Sequence, residues 1–361
     1  MNAVRSLGAV LGAADGGAVS PPQLSDGASW QPLLELAGPC GLMPALWSAV
    51  RRLELLEPVP EDLVDVLGKW LGQRNHVAAV LQYSYRENAR RNADLLDQLR
   101  EVAELFAGDE LPIVALKGIG HVLRGVWPDP ADRMMNDLDL LVPAGRVDEV
   151  HARLREAGYV LAPGPEREPD QHHLAALRRE NRFGAIEVHR EPVARGWTDA
   201  LPASEVIASA RPAPGLPSVL VPSAEHAAAI ALVHAYLADG AWYGRVVPLR
   251  TVHELRRLDA HEGVDWVVVR SQLHRVRRRG LVDEQLVSAW KILGAPAPPT
   301  TAAAARSRMR LAVDGGRWLG PIDAVTSALD AGRLRRHYGT TIGGPWRLRA
   351  HHLARVVRHR S

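Results

Sequence analysis

A chain of 361 residues with 47% apolar and 24% charged residues can bury a sizeable core, as one large domain or two modest ones. Its formal net charge is only +3, although histidines and arginines make the C-terminal end distinctly basic. The single Cys40 excludes an intramolecular disulfide framework and fits a reducing cytosol. No apolar run reaches the roughly 18 residues that span a bilayer, so a cytoplasmic location is expected.

The N-terminal residues 1–17 carry one arginine and an apolar run broken by Gly, Ala and Asp. They read as the start of a helix, not as a signal peptide. A Gly/Ala/Ser/Pro-rich break follows over 12–29. Apolar residues then recur at helical spacing from Gln31 to Leu56, interrupted at Gly38-Pro39, which predicts two helices. Pro58 and Pro60 end the second, and Glu61-Asp62 suit the first turn of another. From Glu61 to Ala107 there is no proline, and leucines and valines recur every three or four residues. One long helix, or two bent near Gly72, is expected, with the charge-dense Arg86 to Arg91 as its solvated face.

A short apolar run, 113–116, has the length of a buried strand. Lys117-Gly118 and Ile119-Gly120 follow, then a helix to about Val126. A Pro/Asp-rich loop over 127–132 leads to Arg133. The run 137–142, DLDLLV, is the next strand, closed by Pro143. Alternation puts Asp137 and Asp139 on one face, with Leu138 and Leu140 turned into the core. A D-x-D triplet alone is common. Two carboxylates held side by side nevertheless repel unless a cation lies between them, and Mg²⁺ or Mn²⁺ takes carboxylate oxygens. The Lys-Gly turn after a strand offers backbone amides and a cation to a phosphate, and Arg133 stands four residues before Asp137. Together these groups describe a site for a metal-bound triphosphate.

An amphipathic helix over 144–157 is capped by Gly158, and Tyr159 to Leu161 forms a further strand. Residues 162–171 make a Pro/Gly/Glu-rich surface loop. His173 to Arg179 and Gly184 to His189 read as strands of a hairpin turned at Asn181 to Gly184. Glu187 projects from the face opposite Ile186 and Val188, and His189 shares that face. Residues 190–222, rich in Pro and Ala, read as a surface linker. Ser223-Ala224-Glu225 begins an apolar helix carrying His226 and His234. These two histidines, eight apart, lack the spacing of a metal pair and are expected to be packed or at the solvent edge. Helices are expected over 245–258 and 266–279. The basic stretches 274–279, 333–338 and 346–360 offer a surface to a polyanion such as RNA. Their slight aromatic interleaving favours plain solvated helix faces.

The sequence LKG…RMMNDLDLLV, with Leu154 to Tyr159 (LREAGY) and Ile186 to His189 (IEVH), resembles the polymerase-β-type nucleotidyltransferase superfamily. More narrowly it is similar to a bacterial family of uncharacterised nucleotidyltransferases, over about residues 30 to 270. The resemblance implies an α+β fold, with a small mixed β-sheet core (110–192) embedded in N-terminal (1–109) and C-terminal (223–361) helical regions, and 193–222 as linker. It also implies transfer of NMP from an NTP to a hydroxyl acceptor (small molecule, peptide or RNA) with release of pyrophosphate. Asp137, Asp139 and Glu187 are then the catalytic and metal-holding carboxylates for Mg²⁺ or Mn²⁺. Lys117, Gly118 and Arg133 face the nucleotide phosphates, with Arg124 as a further candidate; His189, from the face it shares with Glu187, is read as binding substrate, accepting a proton or simply hydrogen-bonded. A Leu-x-Asp-Leu type segment of the family falls near Arg250 to Leu255, where His253 is read in the place of the acid. Asn136 and Arg190 also depart from the family pattern. A non-catalytic nucleotide-binding scaffold and a D-x-D glycosyltransferase are the competing readings; the latter leaves the Lys-Gly turn and Glu187 without a required role.

Overall fold

The run 113–116 pairs as a strand at Val114–Ala115 (β1), and the acidic run at Asp137–Leu141 (β2). They belong to a computed structural model that describes residues 3–24, 27–60, 64, 77–163, 172–239, 241 and 247–298. The first part of the helix expected from Glu61, the loop residues 164–171 and the basic segments 333–338 and 346–360 lie outside the described residues. Among the described residues four α-helices precede the sheet: α1 (Ala3–Ala14), α2 (Gly27–Ala37), α3 (Met43–Arg52) and the long α4 (Val77–Leu105). After β1 come α5 (Lys117–Leu123), β2, α6 (Val147–Glu156), β3 (Val160–Leu161), β4 (Leu177–Arg178) and β5 (Ala185–His189). Then follow α7 (Ala203–Ala208), β6 (Arg211–Ala213) and β7 (Leu216–Val221). Last are α8 (Ala224–Leu232), α9 (Leu249–Glu262), α10 (Trp266–His274) and α11 (Gly280–Leu293). Eleven α-helices and one seven-stranded mixed sheet, among the described residues, make this an α+β protein.

The strand order is β3-β4-β5-β2-β1-β7-β6. β2 runs parallel to β5 and β1 parallel to β7, while the other pairs are antiparallel. Strands β6 and β7 correct the expectation of a linker over 193–222. That stretch carries α7 and a hairpin whose β7 pairs with β1 at Val114 and Leu220. Its prolines obscure the pattern but fit their positions: Pro212 lies in the edge strand β6, where a missing N–H leaves no ladder bond unmade.

Local chemistry explains the flanking elements. Helix α6 has Asp148 and Glu149 in its first turn and Arg153 and Arg155 in its last, matching the helix dipole. Gly158 follows with φ +94°, as its expected capping role requires. Ser223 caps α8, its Oγ accepting from His226 N at 3.2 Å. α8 runs on into a π-helical turn, Val233–Ala238. One continuous apolar core joins Leu7 of α1, Leu46 of α3, Leu99 of α4, Leu138 and Leu140 of β2, Val188 of β5, Leu255 of α9 and Leu281 of α11. Helix α4 packs on β2 and β7, α5 on β1, β2 and β7, and α6 on β5, while α1 packs directly on α9 and α11.

Candidate active site

The register between β2 and β5 sets Asp139 against Glu187, with Asp137 two residues before one and His189 two residues after the other. All four therefore share a face, while Leu138, Leu140, Ile186 and Val188 are buried on the opposite one. The hairpin turn that delivers β5 needs Gly184. Its φ is +73°, and a Cβ there would meet Asn136 O at 2.7 Å. Leu116 N donates to Asp139 O at 2.9 Å, so the chain beyond β1 passes close to the acids. Lys117 then turns with φ +48°, a left-handed conformation that costs a residue with a Cβ about 1–2 kcal/mol. Its ammonium is compensated at once, donating to Asp139 Oδ1 at 2.6 Å.

Asp139 is buried and receives a second contact on the same oxygen from His189 Nε2, at 2.8 Å. His189 Nε2 also lies 3.7 Å from Glu187 Oε2. Burial alone raises the Asp139 carboxyl, but the Lys117 ammonium and the His189 hydrogen bond outweigh it and hold the group well below the usual carboxylate range. Burial likewise opposes the charge on Glu187, yet the His189 bond and His173 bring it down to about 2. Asp137 stands at the exposed start of β2. Desolvation by the surrounding walls and the adjacent Asp139 charge push it up to about 6, ahead of the opposing pull of Lys117. Lys117 is raised: burial would lower it, and Asp139 more than offsets that. His189 is also raised, because its bonds to Asp139 and Glu187 exceed the penalty of burial. A ring whose protonated form is favoured orients carboxylates better than it accepts a proton.

These groups border a pocket of about 150 Å³ between the sheet and the C-terminal helices. Lys117, Gly118, Arg133, Asp137 and Asp139 line one side, and His234, Asp239, Arg250, Thr251 and Glu254 the other. Arg133 is held from two directions. Asn88 and Asn92 of α4 donate to its carbonyl at 3.0 and 2.7 Å, and also to Ala131 O and Pro130 O at 2.7 Å each. Its guanidinium donates to Glu254 and to Met134 O. Glu254 in turn meets His121 Nε2 at 3.2 Å. The π-helical turn brings His234 Nδ1 within 3.0 Å of Asp239 Oδ2 on the pocket wall.

The structure thus brings together Asp137, Asp139, Glu187, His189, Lys117, Gly118 and Arg133. It places Arg124 elsewhere: the guanidinium is buried, donating to Pro222 O at 2.6 Å and facing Glu262 at 3.0 Å, and it does not line the pocket. The acid of the 250–255 segment is Glu254. The preceding His253 turns away to Asp15 at 2.7 Å and to an edge-on contact with Trp127. Glu254, Arg250 and Asp239 were given no site role by the sequence, although Val252-His253-Glu254-Leu255 does carry an acid one residue beyond His253. His226 is packed as expected, 2.8 Å from Ser209 Oγ, whereas His234 reaches the pocket. The basic run 274–279 is partly committed to the protein: Arg275 pairs with Glu205 at 2.8 Å and Arg278 stacks on Trp197.

Asp139, Glu187 and His189 offer ligand atoms within 4.8 Å of one another. Two carboxylates and an imidazole are a donor set suited to a divalent cation, and Lys117 already holds a positive charge against it. Among the described residues no helix is long and apolar enough to cross a membrane. The sequence model of one family, described as uncharacterised nucleotidyltransferase, matches residues 26–289. No curated protein and no solved structure matches the chain.

Proposed function

Because the chain belongs to the uncharacterised nucleotidyltransferase family, with nucleotidyl transfer as its general chemistry, we propose that it transfers NMP from an NTP to a hydroxyl acceptor with Mg²⁺ or Mn²⁺ bound. The observation that carries this reading is the Asp139–Glu187 register, with Asp137 beside it and the Lys117 ammonium seated on Asp139. In the proposed reaction the acceptor hydroxyl releases its proton to water as its oxygen bonds to the α-phosphorus in line, while the α–β bridging P–O bond breaks and pyrophosphate leaves. Asp137, Asp139 and Glu187 would hold two divalent ions, which when bound would supply stabilisation of the attacking and leaving oxygens. Lys117 and Arg133 supply fixed positive charge on the pocket side, where the leaving pyrophosphate gathers negative charge. Gly118 keeps the wall beside Arg133 low: a Cβ there would lie 3.3 Å from the Arg133 guanidinium. His189 holds Asp139 and Glu187 in place rather than taking the proton. The acceptor is a small molecule, a peptide or an RNA end.

The test is a metal-dependent assay with each of four α-labelled NTPs, with and without small RNA and a metabolite extract. Label that appears in a product and requires both the divalent ion and Asp137 supports the reading. Nucleotide binding without transfer under every acceptor condition would move the assignment to a nucleotide-binding scaffold.

A further inference from the structure

One guanidinium on the pocket wall has no partner among the described residues. Arg250, in the first turn of α9, lines the pocket and is half-buried. It makes no hydrogen bond or ion pair there, although Glu254, Asp239 and Asp137 act on it through space. Two of these acids are already committed. Glu254, one turn along α9, gives one oxygen to Arg133 and the other to His121 at 3.2 Å. Asp239 Oδ2 faces His234 Nδ1 at 3.0 Å. The third, Asp137, stands on the face assigned above to the divalent ions. Burial, and after it the like charge of Arg133, push the Arg250 guanidinium below its ordinary value, and the acids do not make up the difference. Two guanidiniums on one small pocket disfavour each other unless an anion joins them.

Each of the two packs where only a glycine leaves room. A Cβ at Gly118 would lie 3.3 Å from Arg133 Nη2, and a Cβ at Gly41, between α2 and α3, 3.2 Å from Arg250 Nη1. The start of α9 adds charge of the same sign. Pro248 offers no capping side chain and no acid stands in the first turn, so the positive end of the helix dipole is unopposed. A planar guanidinium meets phosphate oxygens through paired hydrogen bonds. At about 150 Å³ the pocket is below the roughly 300 Å³ of a site for a whole small molecule, and it suits a phosphate chain.

We propose that Arg250 is the contact for the terminal phosphate of the incoming nucleotide, and that it selects triphosphates over shorter phosphate chains. With the reacting phosphorus at the acids, Arg133 and Arg250 take the far end of the chain between them. The nucleotide as ligand rests on the nucleotidyl-transfer reading. The polyphosphate site itself does not.

The experiment titrates inorganic tripolyphosphate into full-length protein by calorimetry, with Mg²⁺ present and no acceptor. Arg250→Met removes the charge and keeps the length of the stem. It should weaken tripolyphosphate on the order of tenfold or more, the worth of a hydrogen bond to a charged group, and leave NMP affinity unchanged. Arg250→Lys should recover part of the loss, because a point charge cannot make the paired bonds. Without ligand, Arg250→Met should melt at or above the wild-type temperature, since no partner is lost. Unchanged tripolyphosphate affinity in Arg250→Met would overturn the proposal, as would equal weakening of NMP. So would a lowered melting temperature with affinity intact, which makes the guanidinium structural. Tripolyphosphate binding that depends on Arg250, without NTP turnover under any acceptor condition, keeps the phosphate site and removes the transfer reading. Transfer by Arg250→Met at the wild-type KM for NTP does the reverse.

Discussion

Asp137 and Asp139 are two residues apart in one strand, but they sit in different media, and their substitution should have different consequences. Asp139 is buried between two cationic partners. Asp139→Asn leaves the Lys117 ammonium and the His189 ring without their counter-charge, a loss that for buried pairs is about 3–5 kcal/mol. The variant should therefore lose both transfer activity and several degrees of melting temperature. Asp137 is exposed at the strand start. Asp137→Asn should keep the wild-type melting temperature and lose on the order of a hundredfold or more in rate, in the range of other removed electrostatic groups. Parallel thermal melts and rate measurements check both, and equal destabilisation of the two variants would contradict this division. The pairing of acids was legible because strand alternation is a local rule, acting over two residues. The unequal burial was not, since it depends on His189 from β5 and Lys117 from beyond β1. The same limit explains Arg124: a cation close in sequence to the motif was read as facing the phosphates, but Pro222 O and Glu262, 98 and 138 residues away, claim its guanidinium.

At the scale of elements, α4 acts as a rack for the loop before β2. A solvated face was expected over Arg86 to Arg91, and the Glu87–Arg90 pair does lie outward. Asn88 within that run, and Asn92 one turn on, are nevertheless buried and hold the loop carbonyls of Pro130, Ala131 and Arg133. Asn92→Ala strips a donor from two carbonyls, which costs about 1–3 kcal/mol. It should also raise the KM for NTP more than it lowers kcat, because Arg133 loses its backbone anchor while the acids stay in place. Urea denaturation and steady-state kinetics test the two parts, and an unchanged KM would detach α4 from the site. The α4 asparagines were invisible in the sequence because a polar residue in a charged run looks like surface. The β6–β7 hairpin was hidden for a different reason: Pro212, Pro214 and Pro217 read as linker punctuation, although Pro212 lies in the edge strand β6, Pro214 in the turn and Pro217 outside the Val114–Leu220 pairing of β7 with β1.

Across the whole molecule, the buried Arg133–Glu254–His121 cluster joins the loop before β2 and α5 to α9. Glu254 comes 121 residues after Arg133, a separation over which periodicity says nothing. Burial pushes His121 down to about 4, with Glu254 only partly opposing. Between that value and the ordinary histidine value near 6.5, the unfolded chain binds a proton that the folded protein does not. The contribution of His121 to stability therefore falls as pH drops through this window, by up to about 3 kcal/mol. Glu254 acts with the same sign at lower pH: Arg133 and His121 overcome its burial and depress it, so its contribution is present above the ordinary carboxylate value and lost as pH falls through the folded one. His121→Leu should flatten the dependence of the urea midpoint between pH 6.5 and 4.5 while leaving the steeper loss below it. An unaltered slope would assign the acid sensitivity to other groups. The α+β class was legible through the resemblance carried by the LKG, DLDLLV and IEVH motifs, with helical periodicity on either side of them. The facing of the C-terminal helices onto the sheet was not, since it is decided by packing.

The π-helical turn at Val233–Ala238 is closed by Asp239 N donating to His234 O across five residues. Such a turn holds one residue more than the α-helical path that would replace it. Deletion of a single residue there would let α8 continue in ordinary register, at little expense to the fold. It would also swing His234 and Asp239 out of line with each other on the pocket wall. Length variation in this turn is therefore a way to reshape the mouth of the pocket without touching the acids, so lineages that differ by one residue here are the ones in which a change of acceptor is to be sought.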